Sequence, residues 1–234
     1  ILVLLASLGL TIAFWHREQE VERRAQHEAF DAALNDASQQ LQLRMAAQEH
    51  LLQGVQGFLA ATPLQDAAAL QRYVEALPLG ADFAGLQGVG LARRGGTPDH
   101  PTVLLQQIEP TTEQNNAAAG RDLWAQPLLR RALIQAEESG RMALSAKLNL
   151  RELHLGAQAG FVLVLPVYSP APKSDQPSGT VTTRRETLQA WVLAPLVAPD
   201  LMASLYGSLP QGLALTLYDG QQLEPAAVLY RSAN

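Results

Sequence analysis

Fifteen residues without a charge open the chain, from Ile1 to Trp15, and polarity follows at once in His16, Arg17, Glu18, Gln19 and Glu20. An apolar run that meets a Trp and then charge is the pattern of one end of a membrane-spanning helix. A full crossing takes about 20 apolar residues, so residues 1–16 are expected to be the end of a longer span. A signal-peptide core would be followed by a small-residue cleavage site, which does not follow here. A buried core helix would keep a polar edge.

From residue 17 to about 60 there is no Pro, and Ala, Gln, Glu, Arg and Leu dominate. All are good helix formers. Phe30, Leu34, Ala37, Leu41, Arg44, Gln48, Leu51, Val55 and Phe58 recur in steps of four and three, and seven of these nine are apolar. The spacing predicts one long stalk helix with a single apolar stripe. Arg44 and Gln48 interrupt it, so pairing with a second copy is expected near the membrane and docking onto the domain further out. Thr62-Pro63 ends this helix, and 65–77 reads as a second one with Leu70, Tyr73, Val74 and Leu77 on one face.

Strand patterns begin at residue 83. Expected strands cover 86–92, 103–109, 142–150, 161–168, 188–197, 213–219 and 227–231, with a turn at 93–98. Helices are expected at 122–138, ended by Gly140, and at 199–206. A Pro/Ser/Lys-rich connection fills 169–187. Short strands around one or two helices, in two strand–helix–strand stretches (83–168 and 188–231), predict an α+β fold with antiparallel sheets.

Net charge is -5 and the sequence pI about 5.5, which argues against a nucleic-acid partner, since phosphate binding wants a basic face. There is no Cys, so thiol catalysis, disulfides and Cys-ligated zinc are excluded, and an oxidising periplasm is compatible. His16, His27, His50, His100 and His154 share no metal-ligand spacing. No nucleophile elbow and no phosphate-binding loop is present. Gly85, Gly88 and Gly90 run the dinucleotide spacing backwards and open no helix. No catalytic residue, metal or cofactor is expected. The densest polar cluster runs from Ile108 to Asp122. Asp122 is placed to cap the following helix, whereas Glu113 has no equivalent capping role and is expected to face a pocket.

The order Glu109-Pro110, Asn116, Gly120, Asp122, Arg130-Arg131-Ala132, Ala136, Gly140, Ala143-Leu144-Ser145, Leu150, Gly160-Phe161 and Leu165-Pro166-Val167-Tyr168 resembles the CHASE domain. That family is the extracytoplasmic sensory domain of histidine kinases and cyclases. The resemblance spans roughly residues 30–231. It implies a long N-terminal helix, dimeric along its length, followed by two PAS-like subdomains. The expected division is a span end (1–16), stalk and second helix (17–79), a membrane-distal subdomain (80–168), a connecting loop (169–187) and a membrane-proximal subdomain (188–234). In plant cytokinin receptors of the family an acid and a Thr meet an adenine-type ligand. The resemblance carries these roles to Glu113 and Ser145, with Ile134, Leu148, Phe161 and Leu163 as apolar wall. It implies a periplasmic domain on a bacterial inner membrane, reporting a small molecule to a kinase or diguanylate cyclase. The alternative is a dimerisation or protein-interaction module without a small ligand.

Overall fold

A computed structural model of the chain describes residues 2–62, 66–77, 83–97, 99–156, 158–169, 181–203 and 214–232, without the side chains at 2–14, 16, 19–23, 25 and 67. The side chains of the expected membrane segment lie outside the described residues, apart from Trp15, which is exposed. Among the described residues no helix is long and apolar enough to cross a membrane.

Helix α1 (Leu2–Ala61) runs unbroken, as its Pro-free composition predicts. Asp66 caps α2 (Ala67–Glu75) by accepting from the Ala69 N–H. Strands β1 (Val89–Gly96) and β2 (Pro101–Glu109) form a hairpin. Thus Arg93 to Gly96, expected as turn, belong to the strand.

The polar cluster folds into helix α3 (Glu113–Ala118). Thr112 caps it, and buried Asn115 ties it down through Nδ2 to the Pro110 and Gln87 carbonyls. The expected helix over 122–138 divides in two. Asp122 caps only a 3-10 turn, Leu123–Ala125, and Gln126 caps α4 (Pro127–Ser139). The reason is Pro127, which fits the first position of a helix but not its interior. Gly140 ends α4 in the left-handed conformation (φ 69°).

The expected strand over 142–150 is two short pieces, β3 (Ala143–Leu144) and β4 (Leu148–Asn149). Then come β5 (Ala159–Tyr168), α5 (Val181–Thr187), β6 (Leu188–Val197), α6 (Ala198–Ala203), β7 (Thr216–Tyr218) and β8 (Val228–Arg231). The expected loop 169–187 therefore ends in a helix, and its residues 170–180 lie outside the described ones.

Among the described residues all strand pairs are antiparallel, in a six-stranded sheet of order β2-β1-β6-β5-β3, with β4 also on β5, and a two-stranded sheet of β7 and β8. The fold is α+β, a long helix followed by antiparallel sheets. The boundary expected after residue 168 does not coincide with an edge of the larger sheet. Strand β6 lies at the centre of the larger sheet, between β1 and β5, so the division at 188 cuts through one hydrogen-bonded layer.

Both faces of that sheet are covered, which is why β5 and β6 read as continuous apolar runs. Side chains alternate across a strand. Val162, Val164, Trp191 and Leu193 face α4, among Leu129, Leu133 and Leu150. Phe161, Leu163, Leu165, Val192 and Leu196 face α1 and α2, among Leu52, Val55, Leu59 and Leu70. The stalk stripe divides as expected for docking: Leu51 and Val55 are buried, while Phe30 and Leu34 are half-exposed. Gln48, one of its interruptions, is fully buried. The small sheet is held to the large one through Lys147, whose N–H reaches Asp219 Oδ2 (2.7 Å) and whose Nζ reaches the Ala226 carbonyl (3.0 Å).

Candidate functional site

A cavity of about 630 Å³ opens where the β1–β2 hairpin passes the end of α4. Gly95 and Gly96 floor it from β1, and Thr102 and Val103 line it from β2. A Cβ on Gly95 would stand 3.2 Å from Thr102 Oγ1, so the missing side chain keeps this floor open. Trp124 walls it from the 3-10 turn. One carboxylate oxygen of Asp122 fixes that wall, accepting from the N–H groups of Val103 (2.9 Å) and Trp124 (3.0 Å). Ile134 and Glu137, three residues apart on α4, face the same space, and Arg185 of α5 closes one side.

The charges are paired in a specific way. Arg94 Nη2 donates to Glu137 Oε2 at 2.6 Å, and its guanidinium lies 5.4 Å from the Trp191 ring centre. That ring is fully buried and donates its Nε1–H to the Leu133 carbonyl (3.2 Å). The Glu137 side chain is only 4% exposed, yet Oε1 accepts no hydrogen bond among the described residues. The Arg185 Nε stands 3.9 Å from it. Arg185 instead donates from Nη2 to Glu138 Oε1 at 2.6 Å, where both side chains are about half exposed.

Tyr168, at the end of β5, donates its hydroxyl to the Glu137 backbone carbonyl (2.8 Å). Burial pushes its pKa from the ordinary 10.0 up to about 12; Arg184 opposes the shift and Glu137 adds to it. The folded chain thus holds this proton where the unfolded chain has lost it, so stability falls as pH rises from 10 towards 12. Tyr168→Phe is expected to remove that part of the alkaline loss, measured by denaturant melts across this pH range beside a phenolate absorbance titration.

Of the six residues that the resemblance assigns to a ligand site, only Ile134 lines this cavity. Glu113 is exposed at the first position of α3, where a carboxylate complements the helix N-terminus. The buried acid of that cluster is Glu109, which accepts from the Thr111 hydroxyl (2.7 Å). Ser145 is buried and committed: its hydroxyl donates to the Ala146 carbonyl and accepts from the Val162 N–H, both at 2.9 Å. Leu148 is packed in the core beneath α4. Phe161 and Leu163 lie on the other face of the sheet, against the stalk. The six therefore do not form one pocket, because strand alternation sends β5 residues 161 and 163 away from Ser145 and Leu148.

Arg94, Thr102, Trp124, Glu137 and Arg185 were not singled out by the sequence. One signal was available. On α4, Leu129, Ala132, Leu133, Ala136 and Glu137 form one buried stripe, and Glu137 is its only charge.

The antiparallel sheet between two helical layers is a PAS-like fold. A family model for the CHASE domain matches residues 96–230. The chain belongs to the CHASE domain family, whose members are extracytoplasmic sensor domains. Among solved structures it is similar to the ligand-binding domain of the Pseudomonas aeruginosa PAO1 amino acid chemoreceptor PctC in complex with GABA, at 15% identity and a TM-score of 0.51. That match covers 84% of this chain and 76% of the other. No curated protein matches the chain.

Proposed function

We propose that this chain is the sensor domain of a membrane-bound bacterial receptor and binds a small molecule in the cavity between the β1–β2 hairpin and α4. The observation that carries the reading is the cavity itself: apolar walls from Trp124, Ile134 and Val103 beside a few convergent polar groups. Ligand sites combine those two ingredients. The structural neighbour's complex with GABA supports a small ligand on this fold. In the same reading the domain sits in the periplasm on an inner-membrane anchor, does no catalysis itself, and drives a histidine kinase or diguanylate cyclase. Homodimerisation along α1 would cover half-exposed Phe30 and Leu34. An adenine-type ligand would stack on Trp124 and meet Glu137 and Thr102, in place of Glu113 and Ser145.

The test is a thermal shift of the whole chain against cytokinins, adenine, amino acids and organic acids. Ligand at 100 times its dissociation constant should stabilise the fold by about 2.7 kcal/mol, about 5–10 °C for a chain of this size. Thr102→Trp, which fills the cavity, should abolish the shift. A folded dimer that responds to nothing would favour the interaction-module reading, with the stalk face as its working surface.

A further inference from the structure

Glu137 poses a problem that the folded chain leaves unsolved. A buried carboxylate oxygen without a donor keeps the desolvation penalty that a hydrogen bond would offset. Oε2 has its donor in Arg94; Oε1 has only Arg185 Nε, at 3.9 Å and beyond hydrogen-bond reach. Arg185 spends its Nη2 on Glu138 at a site where both side chains are about half exposed. Exposed pairs of this kind contribute little and exchange readily. The site therefore holds a buried acceptor that lacks a donor next to a guanidinium whose present partner is easily replaced. The two pairs, Arg94 with Glu137 and Arg185 with Glu138, also cancel in charge. A net cation or a net anion would upset that balance.

The geometry points to a zwitterion as the ligand: a molecule with an ammonium that donates to Glu137 Oε1 and a carboxylate that draws Arg185 away from Glu138. Trp124, Ile134 and Val103 would hold the apolar body between the two charges. This deepens the sensor reading and rests on it. Charge-assisted bonds at both ends set the specificity. The Arg185 movement also supplies a response, because α5 runs directly into β6 at the centre of the sheet.

Calorimetric titration of the whole chain with the common amino acids and 4-aminobutanoate, then with the deaminated and decarboxylated analogue of any binder, tests it. One zwitterion should bind, with both analogues at least about tenfold weaker. Arg185→Ala, at a half-exposed position that leaves the core intact, should weaken the zwitterion about tenfold without weakening the decarboxylated analogue. Glu137→Gln should weaken the zwitterion without weakening the deaminated analogue. Adenine, a plain carboxylate or a plain amine binding as tightly as any zwitterion would overturn the proposal while the sensor reading stands. If no compound binds to a folded chain, both fall.

Discussion

Trp191→Ala is expected to cost about 3–5 kcal/mol, the range for removing a large aromatic from a core. The ring is fully buried on the α4 side of β6, and its loss leaves a void that Leu129, Leu133 and Val164 close only in part. The variant also loses the Nε1–H donor to the Leu133 carbonyl. At this chain length the melting temperature should fall by roughly 6–20 °C. Below the new transition, ligand binding should weaken as well, because the ring is the platform under the Arg94 guanidinium. Trp191→Phe keeps most of the volume and a ring face, so it should recover more than half of both losses. Denaturant melts and titration on the same samples check the pair. Equal stability of Trp191→Ala and the parent chain would mean that the α4 layer does not depend on this residue.

Gly160→Ala is the second severe change. A Cβ there would lie 2.0 Å from the Leu196 carbonyl oxygen and 2.7 Å from Leu150 Cδ1. The first contact is with backbone, so a rotamer change cannot relieve it. Gly160 pairs with Val197 on one side and Leu148 on the other. The added methyl must push β5 and β6 apart at this end of their ladder. Overpacking costs about 1–3 kcal/mol where side chains can shift, and the upper end or beyond is expected where they cannot. Hydrogen exchange should speed up along the β5–β6 ladder before it does so elsewhere. Gly57→Ala is the control. Its Cβ meets nothing within 4 Å on α1, and a Gly in a helix interior costs roughly 0.5–1 kcal/mol relative to Ala. Opposite signs for the two substitutions would separate the steric cause from any general effect of glycine replacement.

Legibility followed the range of the interactions. Strand β6 coincides with its predicted 188–197 because both of its faces are buried, which makes an unbroken apolar run. The stalk was readable from a repeat in steps of four and three, and α4's end from Gly140, since helix periodicity and caps are local. The break at Pro127 was legible in principle, as a Pro belongs at the start of a helix and not five residues into one. The β1–β2 turn was misplaced because two glycines after two arginines look like a turn, whereas pairing with β2 draws them into the strand.

The candidate site was barely legible. The family resemblance assigned its residues position by position along the chain. Glu113 and Ser145 fulfil local tasks instead, one at a helix start and one in a backbone hydrogen-bond pair.

By itself the sequence determined the long stalk helix, the end of α4, the apolar strands, the lack of thiol chemistry and, through its ordered motifs, the family. Those properties depend on neighbours a few residues apart. Only the tertiary structure decided which face each strand residue takes and which charges meet. Arg94 and Glu137 are 43 positions apart and touch because the sheet order sets β1 beside β6 and beneath α4. Arg185 reaches the same space from α5, a helix packed against α4 that composition had read as loop. Sequence periodicity specifies where a side chain points on its own element; only packing specifies what it meets there.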